Sequence, residues 1–190
     1  MNRRWIPLLS GLLLLPLLGC GASGGSAGGR EEGLSEGMRA ALRDVPGDEL
    51  FETMMEYAES AVSARLPGGG YAGLSALTAA ERAAFIAGEL HWEVENGGLC
   101  QFFVNWGDAM APLTAEALAK VGAAEHRAIY EQFVTDNGID LSDMSSFSFR
   151  TAEDFIAQYK RYPYDDFDNA YYALPPLDEI VAGYLRGLLA

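Results

Sequence analysis

A break in a helix constrains this chain more than any other feature. It falls in the run Glu93-Val94-Glu95-Asn96-Gly97-Gly98-Leu99-Cys100-Gln101-Phe102-Phe103-Val104-Asn105-Trp106-Gly107. Helical patterns lie on both sides of it. Asn96 and Gly97 are residue types that readily take the left-handed conformation ending a helix, and Gly98 leaves room for close backbone approach. The expected feature is therefore a C-cap at Asn96-Gly97. After it, Leu99, Phe102, Phe103 and Trp106 recur at helical spacing, which predicts a buried face. Gln101 and Asn105 are four apart, so their amides share one side of that helix. Two readings of this pair compete. In the structural one, the amides satisfy backbone groups orphaned at the break, a demand that the break itself creates. In the functional one, Glu93, Asn96, Gln101 and Asn105 line a pocket, and a Glu93 of raised pKa serves as general acid or base. No nucleophile, metal set or cofactor loop accompanies Glu93.

The flanking patterns predict an all-α, single compact multi-helix domain. A first helix runs from Asp48 to Leu66, with Phe51, Met54, Met55, Ala58 and Val62 as its core stripe. The capping-box spacing Thr78-Ala79-Ala80-Glu81 starts a second, which ends near Glu95 and buries Ala83, Ile86, Leu90 and Val94. Ala111-Pro112-Leu113-Thr114 reads as a turn into a short helix, and Gly122 separates that from a helix carrying Ile129, Tyr130, Phe133 and Val134. His126, near its start, is expected on or near the surface. Thr151 opens a further helix with Phe155, Ile156 and Tyr159 on its buried side. The last begins at Pro175-Pro176, and its stripe of Leu177, Ile180, Val181, Tyr184, Leu185 and Leu188 either packs back on the domain or forms a dimer face.

The central run resembles the bacterial DNA-mimic protein family, whose signature reads Glu-Val-x-Asn-Gly-Gly-x-x-Gln-Phe-Phe-x-Asn. Here Glu93, Asn96, Gly97, Gly98, Gln101, Phe102, Phe103 and Asn105 carry it, followed by Glu116-Ala117-Leu118, Val121-Gly122-Ala123 and Phe167-Asp168-x-x-Tyr171-Tyr172. The resemblance covers about residues 75 to 185. It implies an all-helical fold, often dimeric, without established catalytic activity. The family name comes from an acidic member that presents DNA-like charge to a DNA-binding protein. Its charge-presenting positions lie outside the motif, so none is assigned here.

Charge narrows the partners. With 27 acidic against 13 basic residues the formal net charge is −14. Direct attraction to nucleic acid or to an anionic membrane surface is disfavoured, whereas a basic protein would be attracted. Asp165, Asp166 and Asp168 fall within four residues in the Tyr- and Asp-dense stretch Tyr162 to Tyr172. They read as a helix start favoured by the helix dipole, as a partner-facing acidic patch, or as an ion site, though the calcium-loop pattern is absent. His91 and Glu95, four apart, make only two candidate metal ligands where a catalytic zinc needs three. No metal and no cofactor is expected.

The first 19 residues have a basic start, Arg3 and Arg4, and an apolar run interrupted by Pro7, Gly11 and Pro16, the pattern of a secretory signal rather than a spanning helix. The ending Leu17-Leu18-Gly19-Cys20 resembles a bacterial lipobox, which implies cleavage before Cys20 and its lipidation. Residues 20–40, rich in Gly and Ser, are expected to be a tether, and 41–190 the helical domain. Cys100, left without an intramolecular partner, reads as a small buried core residue. The functional expectation is a non-enzymatic acidic domain anchored to the envelope outside the cytoplasm, binding a protein partner of unknown identity, with a homodimer as the candidate oligomer. Its alternatives are DNA mimicry toward a DNA-binding protein, which a lipobox would place in the wrong compartment, and a small-ligand binder or enzyme at the Asn-Gly-Gly turn.

Overall fold

The computed structural model describes residues 32–66, 70, 72–147 and 150–190. The leader, Cys20 and most of the expected tether lie outside the described residues. Among the described residues seven α-helices are present: α1 (Glu36–Leu42), α2 (Leu50–Ser63), α3 (Ala79–Val121), α4 (Ala124–Asp136), α5 (Ala152–Tyr159), α6 (Tyr164–Tyr172) and α7 (Leu177–Leu189). Among the described residues no strand is present, and no helix is long and apolar enough to cross a membrane.

α3 is the axis on which the other helices pack. Its first arm, 79–96, starts where the capping box predicts: the Thr78 hydroxyl accepts from the Glu81 amide, and the Glu81 carboxylate accepts from the Thr78 amide at 2.9 Å. The other oxygen of Glu81 accepts from the Ser35 amide at 2.7 Å, fastening the start of α1 to the start of α3. Burial of this arm extends far beyond its expected stripe: every residue from 83 to 90 is buried. α2 comes close enough at Gly88 that a β-carbon there would overlap the Met55 side chain. α7 packs on α2 and α3 through Leu177, Val181, Ala182 and Leu185. Arg186 closes the same side by donating to the Gly47 carbonyl at 2.8 Å.

Several boundaries differ from the expectations. Leu34 and Met38 are buried in the core, so the packed domain begins before residue 41 and the last part of the expected tether belongs to it. α2 stops at Ser63 rather than Leu66, with Glu49 rather than Asp48 at its cap position. No turn forms at Pro112; α3 runs through it to Val121. Pro112 and Leu113 are exposed, so the ring meets solvent rather than a packed neighbour. The Thr114 hydroxyl donates to the Met110 carbonyl at 2.9 Å, and the buried Tyr130 hydroxyl donates to that of Ala111 at 2.8 Å. α5 buries no residue, and Ile156 is 51% exposed. Phe147, 5.2 Å from the Phe103 ring, and Tyr162, stacked on Phe147, cover the core beside it instead.

Candidate functional site

The second arm of α3, 99–121, begins with the expected apolar face. Leu99, Phe102 and Phe103 are fully buried and Trp106 half-buried. Phe103 sits among the rings of Tyr130, Phe133, Phe147 and Tyr164, at centroid distances of 5.2–6.4 Å. This aromatic cluster fixes where the arm lies, and hence where its polar side emerges.

The break itself is displaced from the expected C-cap. Asn96 stays helical and exposed, Gly97 is extended at φ −169°, and Gly98 alone has a positive φ, +78° with ψ 176°. That combination is open essentially to glycine only. A β-carbon at 98 would also overlap the Asp168 carboxylate, so residue 98 is restricted twice. At Gly97 the obstruction is milder, since a β-carbon would meet the end of the Gln101 side chain.

Gln101 and Asn105 do not cap the orphaned backbone. Both reach back across the break to one side chain: Gln101 Nε2 donates to Glu93 Oε2 at 2.7 Å and Asn105 Nδ2 to the same oxygen at 2.9 Å. Trp106 Nε1 donates to Glu93 Oε1 at 3.0 Å. One carboxylate therefore ties three positions of the second arm to the first. With three N–H groups aimed at its oxygens, Glu93 is occupied as an acceptor.

The backbone groups are served from α6. Asp168 Oδ1 accepts from the Leu99 amide at 2.9 Å, acting as an N-cap supplied from 69 residues away. The Tyr172 hydroxyl donates to the Val94 carbonyl at 2.8 Å. Asp168 is thus half-buried at the joint, with one oxygen committed to the Leu99 amide. Burial holds its pKa above the usual carboxylate range, the Leu99 amide opposing that effect. Asp165 and Asp166 are exposed in the first turn of α6, and Asp165 accepts from the Tyr159 hydroxyl.

Tyr171, between Asp168 and Tyr172 in sequence, faces elsewhere. Its hydroxyl is hydrogen-bonded to His91 Nδ1 at 2.9 Å, and the His126 ring meets its ring edge-on at 5.2 Å. His126, expected near the surface, is 2% exposed, and neither ring nitrogen has a hydrogen-bond partner. The turn at Gly122, left-handed at φ +85°, carries the first turn of α4 inward and accounts for that burial. Desolvation holds both histidines below the ordinary imidazole pKa. Among the described residues no group of three or more His, Cys, Asp or Glu is placed to hold a metal. Cys100 is buried as expected, and burial pushes its thiol up to about 11.

Sequence reasoning found the run at 93–105 but missed Trp106 as a donor and Asp168 and Tyr172 as the groups completing it. A signal for the last two existed. Phe167-Asp168-x-x-Tyr171-Tyr172 is the later piece of the resemblance, and the fold brings it against the first: Phe167 is buried, and each of the other three bonds to the first arm or the break.

No curated protein and no solved structure matches this chain. The family model described as DMP19-like protein matches residues 75–188, which span α3 with its joint and nearly all that follows. Over that match, with both motif pieces meeting at the Gly97-Gly98 break, the chain belongs to the DMP19-like family of DNA-mimic-type proteins.

Proposed function

We propose that this protein is a non-enzymatic, acidic binding domain, held at the bacterial cell envelope through a lipidated Cys20, whose partner is a protein with a basic surface. The carrying observation is on α2. Glu49, Glu52, Glu56 and Glu59 recur at three, four and three along one exposed side of the helix, with Asp48 beside them. None of the four has a cationic partner among the described residues. At 1.5 Å per residue they spread over about 15 Å. An uncompensated row of carboxylates along one side of a helix attracts a basic protein surface. The row lies before residue 75, outside the segment matched by the family model. Engagement of Glu93 by three donors supports a structural rather than a catalytic role for the motif.

The test is cross-linking of the native envelope protein across a salt series. A complex that weakens as salt rises, and weakens further when the four α2 glutamates become glutamine, is the expected outcome. No complex at any ionic strength overturns the reading. Family membership favours DNA mimicry as a second reading. Membrane fractionation and mass spectrometry of the wild type beside Cys20→Ala separate the two. A diacylated N-terminus in the envelope fraction supports the first, and a soluble cytoplasmic protein retaining Met1 supports mimicry.

A further inference from the structure

His91 and Glu95 lie on the opposite side of the first arm of α3 from Glu93, two residues away in each direction. There the arm and the α6–α7 turn enclose a cleft of about 110 Å³, lined chiefly by His91, Glu95, Tyr171, Tyr172, Pro175 and Pro176. Small-molecule and cofactor sites usually occupy about 300–1,000 Å³, so this volume suits the head of a single side chain rather than a cofactor.

Its walls are set in advance. The Tyr172 hydroxyl is held by the Val94 carbonyl, yet the residue remains 54% exposed, leaving an aromatic surface open to solvent. Tyr171 and His91 lock one another at 2.9 Å, and two consecutive prolines stiffen the far wall. The charge is one-sided. Glu95 is exposed and makes no hydrogen bond or ion pair with any described residue, and no arginine or lysine is among the cleft's lining residues. Asp178, in the first turn of α7, joins Glu95 in acting electrostatically on both His91 and Tyr171. His91 brings no opposing charge at neutral pH, because burial favours its neutral form.

We infer that this cleft receives one arginine side chain of the basic partner, its guanidinium stacked on Tyr172 and paired with Glu95. The inference rests on the proposed reading of a basic partner and adds where one of its residues is recognised. Arginine fits better than lysine because a planar guanidinium stacks on a tyrosine face while forking onto a carboxylate, whereas an ammonium is a compact, strongly hydrated point charge.

The test is an NMR titration of the full chain in zwitterionic detergent with Nα-acetyl-arginine methylamide, and with the uncharged citrulline analogue as control. The chain has two histidines, so two imidazole signals report. The arginine probe should shift the His91 ring saturably, and more than the His126 ring, while the citrulline probe should not. Glu95→Gln, which removes a charge without breaking any hydrogen bond, should weaken the arginine probe at least about fivefold, against less than about twofold for Glu52→Gln on α2. Non-saturating shifts, equal shifts with citrulline, or equal loss in the two variants overturn the cleft. A hexa-arginine peptide titrated in parallel separates the two levels. Salt-sensitive binding that is indifferent to Glu95→Gln keeps the basic-partner reading and overturns the cleft. Loss of hexa-arginine binding at every ionic strength with the single-arginine response intact overturns the broad reading and spares the cleft.

Discussion

Two neighbouring regions served by the same helix, α6, are built on opposite terms. At the Gly97-Gly98 joint the polar groups in play have partners: Leu99 has Asp168, Val94 has Tyr172, and Gln101, Asn105 and Trp106 share Glu93. One turn away, Tyr171 lies against His126, which is buried with both ring nitrogens unpartnered. Satisfied buried networks hold a single arrangement, whereas unsatisfied polar atoms in the interior cost free energy and leave the site sensitive to protonation. The joint is accordingly the rigid region, and the histidine contact the one whose polar atoms are left unsatisfied.

The strongest way to break that contrast is Gly98→Ala. Positive φ and overlap with Asp168 together should cost about 3 kcal/mol, read from the denaturant midpoint. Gly97→Ala, extended in φ and opposed only by the movable end of Gln101, should cost about 1 kcal/mol. Equal costs would mean that the joint relaxes freely and is not the rigid element.

Glu93→Gln comes next. A glutamine offers one acceptor oxygen to three donors and turns an N–H₂ group toward some of them, so about 2 kcal/mol should be lost. Of the three donors, the exposed Asn105 should matter least when changed to Ala. Unchanged stability with lost partner binding in Gln101→Ala or Asn105→Ala would move these residues from the structural role to the recognition role.

Two smaller effects sharpen the comparison through pH. Asp168 has a raised pKa in the folded state, so the folded protein holds its proton more tightly than the unfolded chain does. Its contribution is present below the ordinary aspartate value of about 3.9 and is lost as pH rises through the raised value. Asp168→Asn keeps an acceptor for Leu99 and should flatten stability over that window. His126 has the opposite sign. Its lowered pKa means that the unfolded chain binds the proton more tightly, so stability falls as pH drops below about 6.5. His126→Phe should remove part of that acid limb, and near pH 8 the gain from replacing unpartnered nitrogens by carbon offsets the cost of the larger ring. An unchanged acid limb in His126→Phe would shift the pH sensitivity to His91.

Much of the fold was legible because it rests on local rules. The capping box at Thr78, the helix start at Thr151, the stop at Gly122 and the stripe of α7 each follow from spacing within one or two turns. Pro112 misled because its penalty depends on what surrounds the ring, and the ring faces solvent. The apolar residues of α5 misled because periodicity identifies a face without supplying a partner for it. Ile156 stayed exposed while Phe147 and Tyr162 covered the core.

At the site the division is the same. That a helix must break near 97, and that an apolar arm must follow, was determined by residue type alone, through glycine's backbone freedom and the spacing of Leu99, Phe102 and Phe103. Which groups answer the break was decided only when α6 was laid across α3. A local pattern cannot say that Asp168 lies against residue 99 or that Glu93 gathers three donors. Those pairings depend on the packing of Phe103 against Tyr164 and Phe133 against Phe167, contacts between residues 34 to 61 positions apart.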